Sequence, residues 1–203
     1  MTTPLLEGHA LSLQPLQQRH VPSLMAIGKD PSIWKFLPVR MQGESDLRNW
    51  MEQSLQLNSA DRCQVWAICL VSGQVVGSSR LLDLDRDHRT AEIGSTWLAA
   101  PFRGSGVNPR AKLLQLTHAF ETLRLRRVAL KTHHGNLQSQ AAMRKLGAVY
   151  EGTFRNHMLM PDGSTRHTAW YSIVAEEWPA VRDELLARIA AEPLPPFAAT
   201  TRT

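Results

Sequence analysis

The sequence predicts a single mixed α/β domain over residues 1–190, and three observations carry that prediction. Runs that alternate apolar and polar residues, the period of a strand, are interleaved with runs whose apolar residues recur at i, i+3, i+4 and i+7, the period of a helix. A break rich in Gly and Pro joins an apolar strand end at Trp97-Leu98 directly to one such helix. Residues 1–190 contain no internal repeat and no linker, and 203 residues suffice for one full core but are marginal for two.

In chain order, residues 1–9 read as a lead-in, and Ala10 to Leu16 alternates as a first strand through Leu11 and Leu13. Val21, Leu24 and Ile27 mark an amphipathic helix over Gln17 to Gly28, with Pro22 tolerated in its first turn. Asp30-Pro31-Ser32 ends it, and Trp34, Phe36 and Leu37 then form an apolar loop that either lines a pocket or covers the core. A second helix spans Glu44 to Asn58, with Leu47, Trp50, Met51 and Leu55 on one face. Gln64 to Val71, the turn Ser72-Gly73 and Val75 to Asp83 make a hairpin pattern, and the polar tip 85–89 returns the chain into Thr90 to Leu98. Strict alternation there puts Ala91, Ile93, Ser95 and Trp97 on one face and Glu92, Gly94, Thr96 and Leu98 on the other.

After the glycine break, Leu113, Leu116, Thr117 and Phe120 define the buried face of a long helix, and Arg127 to Thr132 is a strand with Val128 and Leu130 on one side. Asn136 caps a further helix that Gly147 ends; Ser139 shares its apolar face with Ala142, Met143 and Leu146. Strands at Ala148 to Arg155 and His167 to Val174 flank the turn Pro161-Asp162-Gly163, and Glu176 to Ala191 closes the domain as a helix. Residues 191–203, rich in Pro, Ala and Thr, have the composition of a disordered tail.

Composition narrows the function classes. Apolar residues make up 43%, which argues against disorder. No run approaches the ~20 apolar residues of a membrane helix, and the N-terminus lacks the basic-then-apolar pattern of a signal peptide; a cytoplasmic protein without membrane contact is the expectation. Cys63 and Cys69, on one face of a strand about 20 Å apart, are too distant for a disulfide. With no CxxC there is no reason to expect a metal, and buried thiols in a reducing compartment are expected instead. The net charge of +5 is scattered, only Arg124, Arg126 and Arg127 being dense, and 6% aromatic residues give no stacking platform, so nucleic acid is not expected.

The stretch from Thr96 to Leu123 carries the chemistry. A strand, a glycine turn and a helix start leave several backbone N–H groups without partners and aim them at one point. Gly104 and Gly106 allow positive φ and close approach of a ligand; free amides and the helix dipole favour an anion, most naturally a phosphate, and Arg103 adds a formal charge. Val107-Asn108-Pro109 excludes a Walker loop, and Pro109 occupies the third-glycine slot of a dinucleotide loop. Arg103-Gly104-Ser105-Gly106-Val107-Asn108 instead resembles the R-x-x-G-x-G/A pyrophosphate loop of the GCN5-related N-acetyltransferase (GNAT) family. Four more strings resemble its branch of ribosomal-protein alanine acetyltransferases: 91–98, 118–128, 136–155 and 160–179.

The resemblance implies a central, mixed and mostly antiparallel sheet of about seven strands, splayed in the middle and flanked by helices. It implies acetyl-CoA as acyl donor, its pantetheine arm beside Trp97-Leu98, its diphosphate on the amides of Arg103, Gly104, Ser105, Gly106, Val107 and Asn108, and Asn136 holding it from the other side. The acceptor is a primary amine, a protein N-terminus or a small molecule, that attacks the thioester directly. Glu92 is the candidate base, its alternative an ion pair with a neighbouring arginine; Ser139 is the candidate proton donor, its alternative a bond to the helix backbone. Trp34, Phe36 and His157 are candidate acceptor-site residues, although a lone strand histidine is commonly structural. Two departures stand out: Met143 replaces the tyrosine many relatives use as acid, and Met158 a carboxylate of ribosomal-type relatives. They motivate the alternative of an acyl-CoA-binding protein that has lost catalysis. A homodimer is expected because relatives often pair.

Overall fold

The computed structural model describes residues 3–58 and 63–194; the end of the expected tail, from residue 195, lies outside the described residues. Eight strands form one sheet: β1 (Leu6–Gly8), β2 (Leu11–Pro15), β3 (Gln64–Leu70), β4 (Val75–Asp85), β5 (Thr90–Leu98), β6 (Arg127–His133), β7 (Val149–Leu159) and β8 (Thr165–Val174), in the order β1-β2-β3-β4-β5-β6-β8-β7. Every neighbouring pair is antiparallel except β5–β6. The helices are α1 (Val21–Gly28), α2 (Glu44–Leu57), α3 (Val107–Thr117, continued by a π turn over His118–Thr122), α4 (Leu137–Lys145) and α5 (Trp178–Ala191).

Successive residues of β3 enter opposite layers of core, as the pleat requires. Trp66, Ile68 and Leu70 join Leu113, Leu116, Val181 and Leu185 under α3 and α5, whereas Val65, Ala67 and Cys69 join Leu24, Leu47 and Met51 under α1 and α2. Cys63 and Cys69 are buried free thiols in that second layer.

The structure corrects the sequence reading at several points. The lead-in contains β1, which turns into β2 through His9 and Ala10, both at positive φ (55° and 62°). Two central residues at positive φ make a tight hairpin turn that Asn-Gly ordinarily announces and His-Ala conceals. The hairpin β7–β8 runs four residues further at the β7 end and two at the β8 start than Ala148–Arg155 and His167–Val174 allowed. On α4 no residue is fully buried: Ala142 is exposed, and Ser139 and Met143 are half-buried.

The alternation on β5 is also broken. Ser95 has φ 46° and the β4–β5 register slips between Ser78 and Arg80. This bulge inverts the faces of the residues beyond it. Trp97 therefore enters the α1/α2 layer, the same side as Glu92, while Thr96 points under α3.

There Thr96 meets an unanticipated group. Lys112 of α3, 5% exposed, donates to Thr96 Oγ1 (2.6 Å), Gln115 Oε1 (3.0 Å) and Ser79 Oγ (3.1 Å), with no carboxylate among its described partners. Burial lowers its pKa to about 7. The unfolded chain thus binds a proton that the native state sheds between pH 7 and the ordinary 10.5, so native stability should rise with pH across that window. Lys112→Met should remove this slope, raising the urea midpoint more at pH 6.5 than at pH 9; an equal effect at both would show that Lys112 is not neutral in the native state.

Candidate active site

The site is built where the sheet opens. β5 and β6 share only three parallel register pairs, Thr90–Arg127, Ala91–Val128 and Glu92–Ala129. Beyond them β5 runs on to Leu98 and β6 to His133 without pairing each other, so the expected splay is present. Ala99 N donates to Val76 O on β4 (2.9 Å), so the preceding peptide groups of Leu98 face the gap instead. Arg103 Nε takes the Leu98 carbonyl (2.9 Å), which leaves the Leu98 N–H directed into the opening.

At the mouth of the gap Gly104 and Gly106 adopt φ 71° and 84°. Gly106 is the N-cap of α3, and no side chain caps that end. Amides at the first turn of a helix lack intrahelical acceptors, and Val107 and Asn108 stand there. A Cβ at Gly104 would meet nothing within 4 Å, so the loop is open to a ligand; one at Gly106 would lie 2.6 Å from Arg110 Nη1. Arg110 braces the loop, donating to Gly106 O and to the carbonyls of Ile189 and Glu192 at the end of α5. Ser105 Oγ bonds Phe102 O (2.7 Å).

The charge expected from Arg103 is already paired. Its guanidinium meets Asp30 Oδ2 (2.7 Å) and Ser32 Oγ (2.8 Å) in the turn after α1, joining the loop to the opposite layer of the fold. Attraction for an anion at this mouth therefore comes from the amides and the helix dipole.

Across the gap Asn136 is the N-cap of α4; its Oδ1 accepts from Ser139 N (3.1 Å), the capping role its sequence position suggested. The half-buried Ser139 hydroxyl has no hydrogen-bond partner among the described residues.

Glu92, 5% exposed, stands on the floor of the gap. Its partner is not an arginine but Lys131 of β6, whose Nζ lies 2.6 Å from Oε2. Burial raises the Glu92 pKa and Lys131 opposes that rise. Oε1 rests against Gly94, where a Cβ would come within 2.7 Å of it.

The same sheet face continues across β6 and β8. Lys131 Nζ is 5.1 Å from the Trp170 ring, Arg166 Nε donates to Thr168 Oγ1 (3.0 Å), and His157 Nδ1 bonds the same hydroxyl (3.0 Å). Burial, then Lys131 and Arg166, hold the His157 pKa below its usual value. The slip in β7 between Phe154 and Met158 brings His157 onto this face. Phe36 belongs here too: its carbonyl accepts from Arg166 Nη1 (3.1 Å) and its ring lies 5.5 Å from His133.

Trp34, by contrast, has a packing role. It is buried, donates to Gly28 O (2.7 Å), and its ring lies 5.3 Å from Trp50 and 5.9 Å from Trp97. Sequence reasoning missed Lys131, Arg166 and Trp170. Arg166 lies ahead of the expected strand His167–Val174, no face was assigned to Lys131 or Trp170, and nothing in the sequence said that their face borders the opening.

Comparison with known proteins accords with this geometry. Residues 10–149 match the model of the acetyltransferase (GNAT) domain. YdaF of Bacillus subtilis (strain 168), provisionally named a ribosomal N-acetyltransferase, is 33% identical over 135 residues, covering 66% of this chain and 70% of that protein. A crystal structure from T. thermophilus, provisionally named an acetyltransferase, superposes with a TM-score of 0.82 at 37% identity over 93% of this chain and 98% of that one. A GCN5-related N-acetyltransferase from Brucella melitensis gives 0.84 at 26% identity, over 100% and 93%. With the matched model spanning well over half of its length, the chain belongs to the GNAT acetyltransferase family.

Proposed function

We propose that this acetyltransferase binds acetyl-CoA in the opening between β5 and β6 and passes the acetyl group to a primary amine lying over Glu92. The family makes the chain an acyl-CoA-dependent N-acetyltransferase and does not favour an inactive acyl-CoA binder. The observation that carries the proposal is the early end of β5–β6 pairing beside an uncapped helix start. It supplies a strand edge for the amides of a pantetheine arm and a cluster of N–H donors for a diphosphate.

Acetyl-CoA, when bound, supplies a thioester carbonyl that an amine can attack directly. The residues of the chain provide the rest. Backbone N–H groups of residues 104 to 108 hold the diphosphate, with Gly104 and Gly106 giving it room. The Leu98 N–H offers a strand-like bond to the carrier or a donor to a developing oxyanion. Asn136 contributes from the start of α4. Glu92 takes the proton of the amine through Oε1, the oxygen not engaged by Lys131; burial keeps it a stronger base than an exposed carboxylate. Ser139, with its hydroxyl free, is the donor to the departing thiolate. Phe36 and His157 border the acceptor, and Met143 and Met158 take no part.

YdaF is provisionally named a ribosomal N-acetyltransferase, which favours a protein over a small molecule as the source of the acceptor amine. The same proposal takes the protein as cytoplasmic, without metal, membrane or nucleic-acid partner. It takes the protein as a homodimer too, on the strength of an edge strand that exposes Val149, Tyr150, Phe154 and Leu159.

Two substitutions test these roles. Gly104→Asp places a carboxylate among the donors at a position with room for it, and asparagine-like residues tolerate positive φ. Acetyl-CoA affinity by calorimetry should fall about tenfold or more, one charge-assisted contact being of that scale, with little loss of melting temperature. Unchanged affinity would remove the loop from the donor site. Glu92→Gln should lower kcat on the order of hundredfold and leave acetyl-CoA affinity near that of the wild type; an unaltered kcat would exonerate Glu92.

A further inference from the structure

The acceptor side of the gap is a surface of donors. Lys131 and Arg166 bring two cations to Glu92, the single buried carboxylate among the described residues, and Lys131 already occupies one of its oxygens. Asp83, the other carboxylate felt at Glu92, is exposed on β4. Arg166 is 3% exposed and has no ion-pair partner among the described residues; its Nε and Nη1 bond Thr168 and Phe36, and its Nη2 has no described partner. Trp170, against Lys131 and His157, keeps a buried indole N–H with no acceptor among the described residues. Buried donors normally find acceptors; Trp170 Nε1 lacks one in the interior, whereas Arg166 Nη2 retains accessible surface and is the donor that a bound molecule can reach.

We infer that the acceptor is an α-amine with a carboxylate near it, the carboxylate being received by Arg166, and not an alkyl polyamine or a lysine-flanked amine. This rests on the acetyltransferase reading above and adds the class of amine. Its chemistry is direct. Only a free amine has the lone pair that forms the new N–C bond as the C–S bond breaks; one amine proton leaves through Glu92, and the thiolate ends as a thiol. Like charges nearby disfavour an ammonium, so Lys131 and Arg166 ease loss of its proton. That help suffices for an α-amine, which titrates near ~8, and falls short for an alkyl ammonium near ~10.4, whose free-base fraction at neutral pH is roughly hundredfold smaller. A polycation meets repulsion as well. A carboxylate carried by the acceptor near its amine, on the same or the next residue, meets the remaining donor of Arg166 as a charge-assisted contact.

The test is CoA release from acetyl-CoA by the full-length protein with five acceptors: Ala-Asp-Ala-Ala, Ala-Ala-Ala-Ala and Ala-Lys-Ala-Ala with amidated C-termini, free alanine, and spermidine. The acidic peptide should exceed the neutral one in kcat/KM by about tenfold, the scale of one charge-assisted contact, with the lysine peptide and spermidine below both. Free alanine above the acidic peptide would assign the carboxylate to an amino acid in place of a peptide side chain and would still support the inference. Arg166→Gln should erase the preference of acidic over neutral acceptor while acetyl-CoA affinity persists; since Arg166 also ties the Phe36 loop, the wild-type ranking decides if that variant does not fold. Spermidine or the lysine peptide ranking first would overturn the inference and leave the acetyltransferase standing. Tight acetyl-CoA binding with no release by any amine would overturn the acetyltransferase reading and this inference with it.

Discussion

Two neighbouring parallel strands that cease pairing after three residues must leave backbone donors and acceptors facing one another across a gap, and buried peptide groups do not tolerate that state without partners. In this chain the separation of β5 from β6 beyond Glu92 and Ala129 creates that demand, and the rest of the molecule is arranged around it. The bulge at Ser95 turns β5 away from its former alternation, Lys112 grips Thr96 from below, and Arg103 binds the Leu98 carbonyl at the far end. On the floor, Glu92 and Lys131 bind the two strands together where their backbones last meet. The proposed carrier, linear and with amide groups, would satisfy the edges, and the uncapped start of α3 would receive its anionic end.

The two layers flanking the sheet divide the work. The layer of α3 and α5 holds the large apolar core and presents the glycine loop. The layer of α1 and α2 covers only part of its face. It ends at the loop carrying Phe36, beyond which Arg166, Thr168, Trp170 and His157 remain as a polar wall. Arg103 spans both layers through Asp30 and Ser32, so it contributes more to the alignment of the cleft than to its charge.

Much of this was legible in the sequence. Periodicity gave seven of the eight strands and all five helices, because long apolar repeats on both periods leave little freedom. The glycine loop was legible because Gly104 and Gly106 sit between a strand end and a helix start, and both adopt the positive φ that arrangement implied. What stayed hidden depends on backbone states that ordinary residues rarely adopt. His9 and Ala10 at positive φ concealed a hairpin, and Ser95 concealed a bulge that moved Trp97 to the side of Glu92. Pairings between distant segments were hidden too: Lys131 with Glu92 and Arg103 with Asp30 depend on which strands and loops become neighbours, which local patterns do not state.

The central claim is that one ligand bridges the parted strands and the start of α3. Amide hydrogen exchange of the full-length protein, with and without saturating acetyl-CoA, tests it most directly. Added protection should be concentrated in Ile93 to Leu98 and Gly104 to Asn108, with a smaller effect at Asn136 to Ser139. Binding that leaves those amides unprotected, or protects other segments instead, would contradict the account.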